Sequence, residues 1–247
     1  MTLISQKNRP IILLPVIDGM VKHIFFDLDN TLWDFDKNSE CAIKSMFVEH
    51  RIKEDFGVEF ELFHKNYYQI NEALWLQFRD EKISKAELRE RRFKQAFLSV
   101  HITKLELAEK FEAIYFQEIV KFNYLMAGSE ELLDYLKNKY QIHVLSNGFF
   151  EVTKRKIETS ALINYINTWT SAEEINIRKP RPEIFDHALK KAGAKKDESI
   201  YIGDDLIADI KGAQDFGVKS IFYNPSNKAV DNGISSINHL LELKKIF

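Results

Sequence analysis

The chain has 247 residues, of which 45% are hydrophobic and 29% are charged, close to the usage of ordinary globular proteins. This composition excludes a disordered or low-complexity chain, and the length allows one large domain or two modest ones. Lys and Arg number 35 and Asp and Glu 37, so the formal net charge is −2. No overall basic field therefore exists to recruit a nucleic-acid polymer or an anionic membrane.

The N-terminal segment and the cysteine content bear on localisation. We interpret residues 1–20 as an N-terminal extension, with Met20 as a candidate start. The apolar run at 11–17 is broken by Pro15 and is far shorter than the ~20 residues that span a bilayer. Cys41 is the single cysteine, which excludes an intramolecular disulfide and a cysteine-rich zinc site. We therefore expect a cytoplasmic protein.

Residues 58–127 contain neither glycine nor proline, the two strongest helix breakers. Apolar residues recur there at helical spacing, for example at Leu62, Tyr67, Ile70 and Leu74. This period predicts several amphipathic helices that pack together. Breaks between them are expected near 79–84 and 100–104.

Outside this stretch, short apolar runs alternate with amphipathic segments. The runs are typical of buried parallel strands and lie at Ile24–Phe26, Ile142–Leu145, Ile200–Ile202 and Ser220–Tyr223. The alternation predicts an α/β fold, with a Rossmann-like parallel sheet and helices on both faces. We expect residues 21–35 and 125–247 to form this core and residues 36–124 to form an inserted helical cap.

Polar residues follow three of these predicted strands at the point where each strand ends. Because the carboxyl ends of parallel strands meet at one edge of a sheet, these residues should converge. They are Asp27, Asp29 and Thr31 after the first strand, Ser146, Asn147 and Gly148 after the second, and Asp204, Asp205 and Asp209 after the third. Lys179 lies between the last two groups, just before a predicted helix.

Clustered carboxylates repel one another, and a hard divalent cation such as Mg²⁺ relieves the repulsion. Lys179 and the Ser146 hydroxyl suit phosphate oxygens rather than a metal ion. The set fits phosphoryl transfer, in which one Asp attacks phosphorus and a second protonates the leaving oxygen and then activates water. In an extended segment, Asp27 and Asp29 point to the same side and can face one phosphoryl group.

The four motifs resemble those of the haloacid dehalogenase (HAD) superfamily and occur in the family's order. They are Asp27-Leu-Asp-Asn-Thr31, Ser146-Asn-Gly148, Lys179-Pro180 and Gly203-Asp-Asp205. The insertion after the first motif resembles the family's helical cap. Phe149 after the second motif, Arg178 before the third and Asp209-Ile210 after the fourth are similar to the pyrimidine 5′-nucleotidase branch.

The resemblance implies a role for each residue that faces the phosphoryl group. Asp27 would be the nucleophile, and Asp29 the general acid and base. Ser146 would hydrogen-bond the transferring group, while Lys179 would neutralise it and steady Asp27. Thr31 would support the first loop and contact phosphate. An acid at position 29 favours phosphate transfer over halide removal, because dehalogenases of the superfamily lack it.

The resemblance also implies a metal site for Mg²⁺. Asp27 would be one ligand, and Asp29 would contribute its main-chain carbonyl. Asp204 would be the remaining ligand, and Asp205 a second one or the group that orients a metal-bound water. Asp209 would fix the loop from outside the ligand set. The sequence does not decide which of Asp204, Asp205 and Asp209 touches the metal.

Candidate substrate contacts come from residues next to the motifs. Trp33 and Phe149 lie where the leaving group would be and could stack on a base. Asn147 and Gly148 are further candidates, since Gly148 lets main-chain N–H groups approach an anion. We interpret Trp75 and Phe78 as core residues, and the basic segment 88–95 as a solvated helix face.

We expect a Mg²⁺-dependent phosphatase for a small phosphate monoester, with a nucleoside 5′-monophosphate as substrate and a monomer as the favoured state. A sugar-phosphate phosphatase or phosphomutase is the alternative, because the core motifs touch only the phosphoryl group. A phospho-accepting receiver module also combines an acidic pocket, Mg²⁺, a hydroxyl and a lysine, but lacks a large helical insertion. A catalytically silent binding protein is the fourth hypothesis, and the intact acids at 27 and 29 oppose it.

Overall fold

A six-stranded parallel sheet forms the centre of the molecule. The structure is a computed structural model that describes residues 20–231 and 233–247, so the predicted extension at 1–20 lies outside the described residues except for Met20. The strands are β1 (His23–Phe26), β2 (Gln141–Ser146), β3 (Thr168–Ser171), β4 (Ser199–Gly203), β5 (Lys219–Tyr223) and β6 (Ser236–Ile237). Their order in the sheet is β3-β2-β1-β4-β5-β6.

The first strand lies inside the sheet, between β2 and β4, so the residues that follow it lie between the ends of these two strands. Ile24 pairs with Ile142 on one side and with Ile200 on the other, and all three side chains are buried. The four apolar runs predicted as strands are therefore strands β1, β2, β4 and β5. The prediction missed β3 and β6, which lie at the two edges of the sheet.

Six helices lie between β1 and β2 in the chain, and we call the first five of these the cap helices. They are α1 (Phe35–Glu49), α2 (Ile52–Phe56), α3 (Phe60–Arg79), α4 (Lys85–Ser99) and α5 (Leu105–Ile119). The gaps on either side of α4 fall where the sequence predicted breaks. A Ser84 and Glu87 capping box begins α4, in which each side chain accepts a hydrogen bond from the other residue's main-chain N–H.

The cap helices pack through a cluster of aromatic rings. The ring centroids of Phe63 and Phe97 are 4.8 Å apart, those of Phe97 and Phe111 are 4.9 Å apart, and those of Phe93 and Tyr115 are 5.3 Å apart. Such pairs contribute about 0.5–1.5 kcal/mol each beyond the area they bury. The cluster gives α3, α4 and α5 a common core.

The remaining helical elements lie between successive strands, apart from the last one, which follows β6. They are α6 (Ser129–Leu136), α7 (Phe150–Thr159), α8 (Pro182–Ala192) and α9 (Gly212–Phe216), with a π-helical segment at Leu206–Lys211 and 3-10 turns at Ala161–Asn164, Ala172–Glu174 and Leu240–Lys245. In α8, Pro182 occupies the first turn and Gly193 ends the helix at φ 65°. No helix within the described ranges is long and apolar enough to cross a membrane.

Candidate active site

The carboxyl edge of the sheet and the cap helices enclose one cavity of about 220 Å³. Its volume is several times the ~30 Å³ that one water occupies in the liquid, so it has room for an organic ligand. Most of the residues selected from the sequence line this cavity: Asp27, Asp29, Ser146, Asn147, Gly148, Phe149, Lys179, Asp204, Asp205 and Asp209. The structure therefore brings the four motifs together at the end of β1.

The ammonium group of Lys179 organises the buried acids. Its Nζ lies 2.5 Å from Asp27 Oδ1 and 2.6 Å from Asp209 Oδ1. Tyr201 Oη and the carbonyl oxygen of Leu145 lie 2.8 and 3.0 Å from the same Nζ, and Lys179 is 2% exposed. Because so many acceptors surround it, the ammonium is held in one place and fixes the direction of the Asp27 carboxylate.

Burial and like charge act on the acids in the same direction. Burial raises the pKa of Asp27 to about 7, although the opposite charge of Lys179 works against the shift. Burial, together with the neighbouring charges of Asp27 and Asp209, raises the pKa of Asp204 well above its usual range. For Lys179, burial disfavours the charged form, but the carboxylates of Asp209 and Asp27 outweigh it and raise its pKa. The cluster thus holds more negative charge than one lysine balances.

Three carboxylates are placed so that they could hold a metal ion. Asp27, Asp204 and Asp209 each offer an oxygen, and these three oxygens lie within 4.8 Å of one another. Carboxylate oxygens are the ligands that a hard divalent cation prefers, and such a cation would offset the repulsion between the carboxylates. The donor set therefore fits a divalent metal ion.

Asp205 is not part of this group. Its predicted role, as a second metal ligand or as the group that orients a metal-bound water, stays a prediction. Its Oδ1 accepts hydrogen bonds from the main-chain N–H groups of Ile207 and Ala208, both at 2.8 Å. Its Oδ2 lies 3.7 Å from Arg79 at the end of α3. Asp205 therefore caps the π-helical segment and pairs with the cap helices.

Asp209 is buried behind the loop that follows β4. Its Oδ2 accepts from the main-chain N–H of Asp205 at 3.0 Å, while Oδ1 contacts Lys179. A Cβ atom at Gly203 would lie 2.3 Å from this Oδ2, so only glycine leaves room for the carboxylate. This packing couples the Gly203 turn to the position of Lys179.

Asp29 is paired with a lysine that the sequence analysis did not select. The Nζ of Lys156, on α7, lies 2.5 Å from Asp29 Oδ1, and Lys156 is 3% exposed. The same Nζ lies 4.4 Å from the ring centre of Trp33 and 5.1 Å from that of Phe35. The two rings and the carboxylate thus hold a buried cation beside Asp29.

Thr31 and Trp33 are placed differently from their predicted roles as substrate contacts. Both side chains are fully buried, and neither is among the residues that line the cavity. The Thr31 hydroxyl donates to Asp204 Oδ1 at 3.0 Å, and the Trp33 ring lies against Lys156. In the structure, both residues lie in the turn after β1 and contact groups of the site, Asp204 and Lys156. Their predicted contact with substrate stays a prediction.

The loop after β2 supplies the other side of the cavity. Ser146 Oγ accepts from the main-chain N–H of Gly148 at 2.9 Å. The Asn147 side chain accepts from the main-chain N–H of Lys179 and donates to its carbonyl oxygen, at 2.8 and 3.1 Å. Phe149 lines the cavity but is 2% exposed and packs against Trp75, with ring centroids 5.2 Å apart.

The cavity also has lining residues from the cap helices that were assigned to the core or to solvent. Trp75, interpreted as core, is partly exposed and lines the cavity. Arg92 belongs to the basic segment interpreted as a solvated face, yet it is 1% exposed and lines the cavity as well. Asn71 also lines the cavity, and no prediction was made for it from the sequence. Helical spacing alone places Asn71 and Trp75 on one face with the apolar Leu74, which is the cue that could have identified them.

The parallel sheet, the cap helices at its carboxyl edge and the aspartates after β1 define a hydrolase of the haloacid dehalogenase-like class. The model of the family described as haloacid dehalogenase-like hydrolase matches residues 21–217. The chain therefore belongs to this family, and the prediction of an enzyme of the HAD superfamily is confirmed.

Individual relatives agree with this assignment. The chain is 30% identical to the pyrimidine 5′-nucleotidase PynA of Streptococcus pneumoniae over 83% of this chain and 84% of that protein. It is 26% identical to the pyrimidine 5′-nucleotidase YjjG of Escherichia coli over 90% and 96% of the two chains. Among solved structures, YfnB of Bacillus subtilis bound to magnesium superposes with a TM-score of 0.80 at 23% identity, covering 92% of this chain and 98% of that one.

Proposed function

We propose that the protein is a Mg²⁺-dependent phosphatase that hydrolyses a nucleoside 5′-monophosphate through a phosphoryl group carried on Asp27. The observation that carries this proposal is the arrangement after β1. Lys179 Nζ lies 2.5 Å from Asp27 Oδ1, and Asp29, two residues further along the chain, lines the same cavity. The names of PynA and YjjG support the substrate class, and the magnesium in the YfnB structure supports the ion.

In the first step, a carboxylate oxygen of Asp27 attacks phosphorus, and the bond from phosphorus to the ester oxygen breaks. Asp29 donates its proton to that leaving oxygen, which departs as the nucleoside hydroxyl. Lys179 and the Ser146 hydroxyl offset the charge on the phosphoryl oxygens. This assignment uses Asp27 Oδ2 as the attacking atom, because Lys179 contacts Oδ1.

In the second step, a water attacks the phosphorus of the phosphoryl-aspartate. Asp29, now a carboxylate, accepts a proton from that water, and the bond between phosphorus and Asp27 breaks. Inorganic phosphate leaves, and both aspartates return to their starting states. Lys156 beside Asp29 would hold this carboxylate in place through both proton transfers.

We propose Asp27 and Asp204 as carboxylate ligands of the metal ion, with the main-chain carbonyl of Asp29. Asp209 belongs to the same group of acids, but both of its oxygens already accept hydrogen bonds from Lys179 and Asp205. We therefore assign Asp209 to fixing Lys179 and the loop. The bound ion would offset the charge of the carboxylates and of the phosphoryl oxygens.

We also propose that residues 36–124 act as a cap on a core formed by 21–35 and 125–247. Ion pairs join the two parts around the cavity, with Lys85 2.9 Å from Glu173 and Arg79 3.7 Å from Asp205. A closed cap would exclude bulk water from the phosphoryl group during the first step. We propose that the enzyme acts in the cytoplasm and that its small-molecule partner is its substrate, a phosphate monoester.

The test is phosphate release in the presence of Mg²⁺ across nucleoside monophosphates, sugar phosphates and phosphoglycolate, with Asp27→Asn as the blank. Highest kcat/KM for pyrimidine 5′-monophosphates supports the proposal. Preference for a sugar phosphate would keep the mechanism and replace the nucleotidase assignment. Absence of phosphate release from every compound, with no effect of EDTA, would instead favour the receiver-type or silent alternatives.

A further inference from the structure

The cavity continues from the acids into the cap helices, where it meets polar groups that phosphoryl transfer does not use. Asn71 on α3, Arg92 on α4 and Tyr115 on α5 line this part. The rings of Trp75 and Phe149 form an apolar wall beside them. A leaving group attached to the phosphoryl group would extend into this part of the cavity, because the acids occupy the other end.

Asn71 has an unmet hydrogen-bonding capacity at the cavity wall. The residue is 2% exposed, and its Oδ1 is buried without a hydrogen-bond partner among the residues that the structure describes. Buried side-chain oxygens are nearly always hydrogen-bonded in folded proteins. An amide presents an acceptor and a donor side by side, so Asn71 is suited to a ligand edge that carries a donor beside an acceptor.

Arg92 is a donor whose orientation and charge are already fixed. Its Nε and Nη2 donate to Glu112 at 2.7 and 3.0 Å, and its guanidinium lies 4.5 Å from the ring centre of Tyr115. Neither of these hydrogen bonds uses Nη1. Because Glu112 also pairs with Arg89 at 2.8 Å, the carboxylate is fully engaged and balances the buried guanidinium. Such a group is better suited to a neutral carbonyl than to a second phosphate.

We propose that Asn71 and Arg92 select the base of the substrate by binding the edge of a pyrimidine that has an N–H between two carbonyls, as in uracil and thymine. The proposal rests on the proposed function. Asn71 Oδ1 accepts from the ring N–H, and its Nδ2 donates to one adjacent carbonyl. Arg92 donates to the other carbonyl, and Trp75 contacts the face of the ring.

The first experiment needs no variant. The wild-type enzyme is assayed with uridine 5′-monophosphate, with its 3-methyl derivative, in which a methyl group replaces the ring hydrogen, and with ribose 5-phosphate, which has no base. We expect kcat/KM for the 3-methyl compound to be lower by about 10- to 100-fold than for uridine 5′-monophosphate. Equal rates for the two nucleotides would overturn the inference, whether or not any variant folds.

The second experiment separates recognition from structure. Asn71→Ala should lower kcat/KM for uridine 5′-monophosphate by about 10- to 100-fold, change that for ribose 5-phosphate by less than about threefold and remove the discrimination against the 3-methyl compound. Asn66→Ala is the matched control, since Asn66 lies on the same helix, bonds Ser99 Oγ at 3.0 Å and is outside the cavity lining. It should leave all three values unchanged.

Two failures are distinguishable. An equal loss of activity toward uridine 5′-monophosphate and ribose 5-phosphate in Asn71→Ala would overturn the inference and leave the nucleotidase proposal standing. Hydrolysis of ribose 5-phosphate without hydrolysis of any nucleoside monophosphate by the wild-type enzyme would refute the proposed function itself, and the inference with it.

Discussion

Replacing Lys156 by Met removes the buried cation beside Asp29 and keeps a side chain of similar length. At the observed separation of 2.5 Å, two unit charges attract by about 7 kcal/mol for an effective dielectric constant near 20. Desolvation of the buried ammonium cancels much of this attraction. Hydrogen bonds to charged groups contribute about 1.5–3 kcal/mol net, so we expect Lys156→Met to lower kcat by about 10- to 100-fold.

The assay is a double-mutant cycle on steady-state kcat with a nucleoside monophosphate as substrate. If Lys156 acts through Asp29, adding Lys156→Met to the Asp29→Asn variant should lower kcat by less than about threefold further. Lys154→Met is the matched control, because Lys154 is on the same helix, is half-exposed and lies 3.8 Å from Glu158. The role of Lys156 is refuted if the fold losses in kcat of the two single variants multiply in the double variant. It is also refuted if Lys156→Met and Lys154→Met have the same kcat.

Three further outcomes follow from the structure. Gly203→Ala would place a Cβ 2.3 Å from Asp209 Oδ2, so the carboxylate must move away from Lys179, and kcat/KM measured with the preferred monophosphate should fall by at least about tenfold. Burial, aided by the charge of His23, lowers the pKa of His143 to about 4. The unfolded chain then binds more protons between about pH 6.5 and 4, so the free energy of unfolding falls as the pH is lowered through this window, by at most about 3 kcal/mol from this group. Urea titrations across that range should show the decline, and His143→Gln should flatten it. Dialysis against EDTA should abolish phosphate release and added Mg²⁺ should restore it; full activity after dialysis would contradict the proposed metal dependence.

The sheet could be predicted where the strands are buried on both faces. Runs such as Ile200–Ile202 have near-continuous apolar side chains, because helices cover a parallel sheet on both sides. The edge strand β3 has the sequence Thr-Trp-Thr-Ser, and β6 has two residues, so neither has an apolar run long enough to be distinguished from a loop. Their pairing with β2 and β5 depends on contacts between segments that are distant in the sequence or too short to be predicted alone.

The acids at the strand ends could be predicted for a similar reason, since a parallel sheet brings the ends of its strands together. The directions in which the Asp205 and Asp209 side chains of the last motif point could not be predicted from the sequence. A π-helical segment at Leu206–Lys211 turns Asp209 back toward Lys179 and leaves Asp205 as its cap, an arrangement that residue spacing does not reveal. The direction of those two carboxylates depends on the local helix geometry.

Lys156 and Arg92 were missed because a charged residue on a helix is usually solvated. Lys156 is buried by the turn that contains Trp33, more than 100 positions earlier in the chain. Arg92 is buried because Glu112 on the neighbouring helix pairs with it. In both cases the partner comes from another element, so the burial of the charge is decided by tertiary packing and not by the local pattern.

The most direct test of the central claim is to locate the phosphoryl group on the enzyme during turnover. Asp29→Asn should slow both steps with a nucleoside monophosphate, but only the second with p-nitrophenyl phosphate, whose leaving group departs without protonation. Mixing this variant with Mg²⁺ and p-nitrophenyl phosphate, quenching in acid and digesting should therefore yield a peptide with one phosphoryl group on Asp27. That group should be released by hydroxylamine, as an acyl phosphate is. Modification of a different residue, or phosphate release by Asp27→Asn at the wild-type rate, would contradict the covalent mechanism proposed for Asp27.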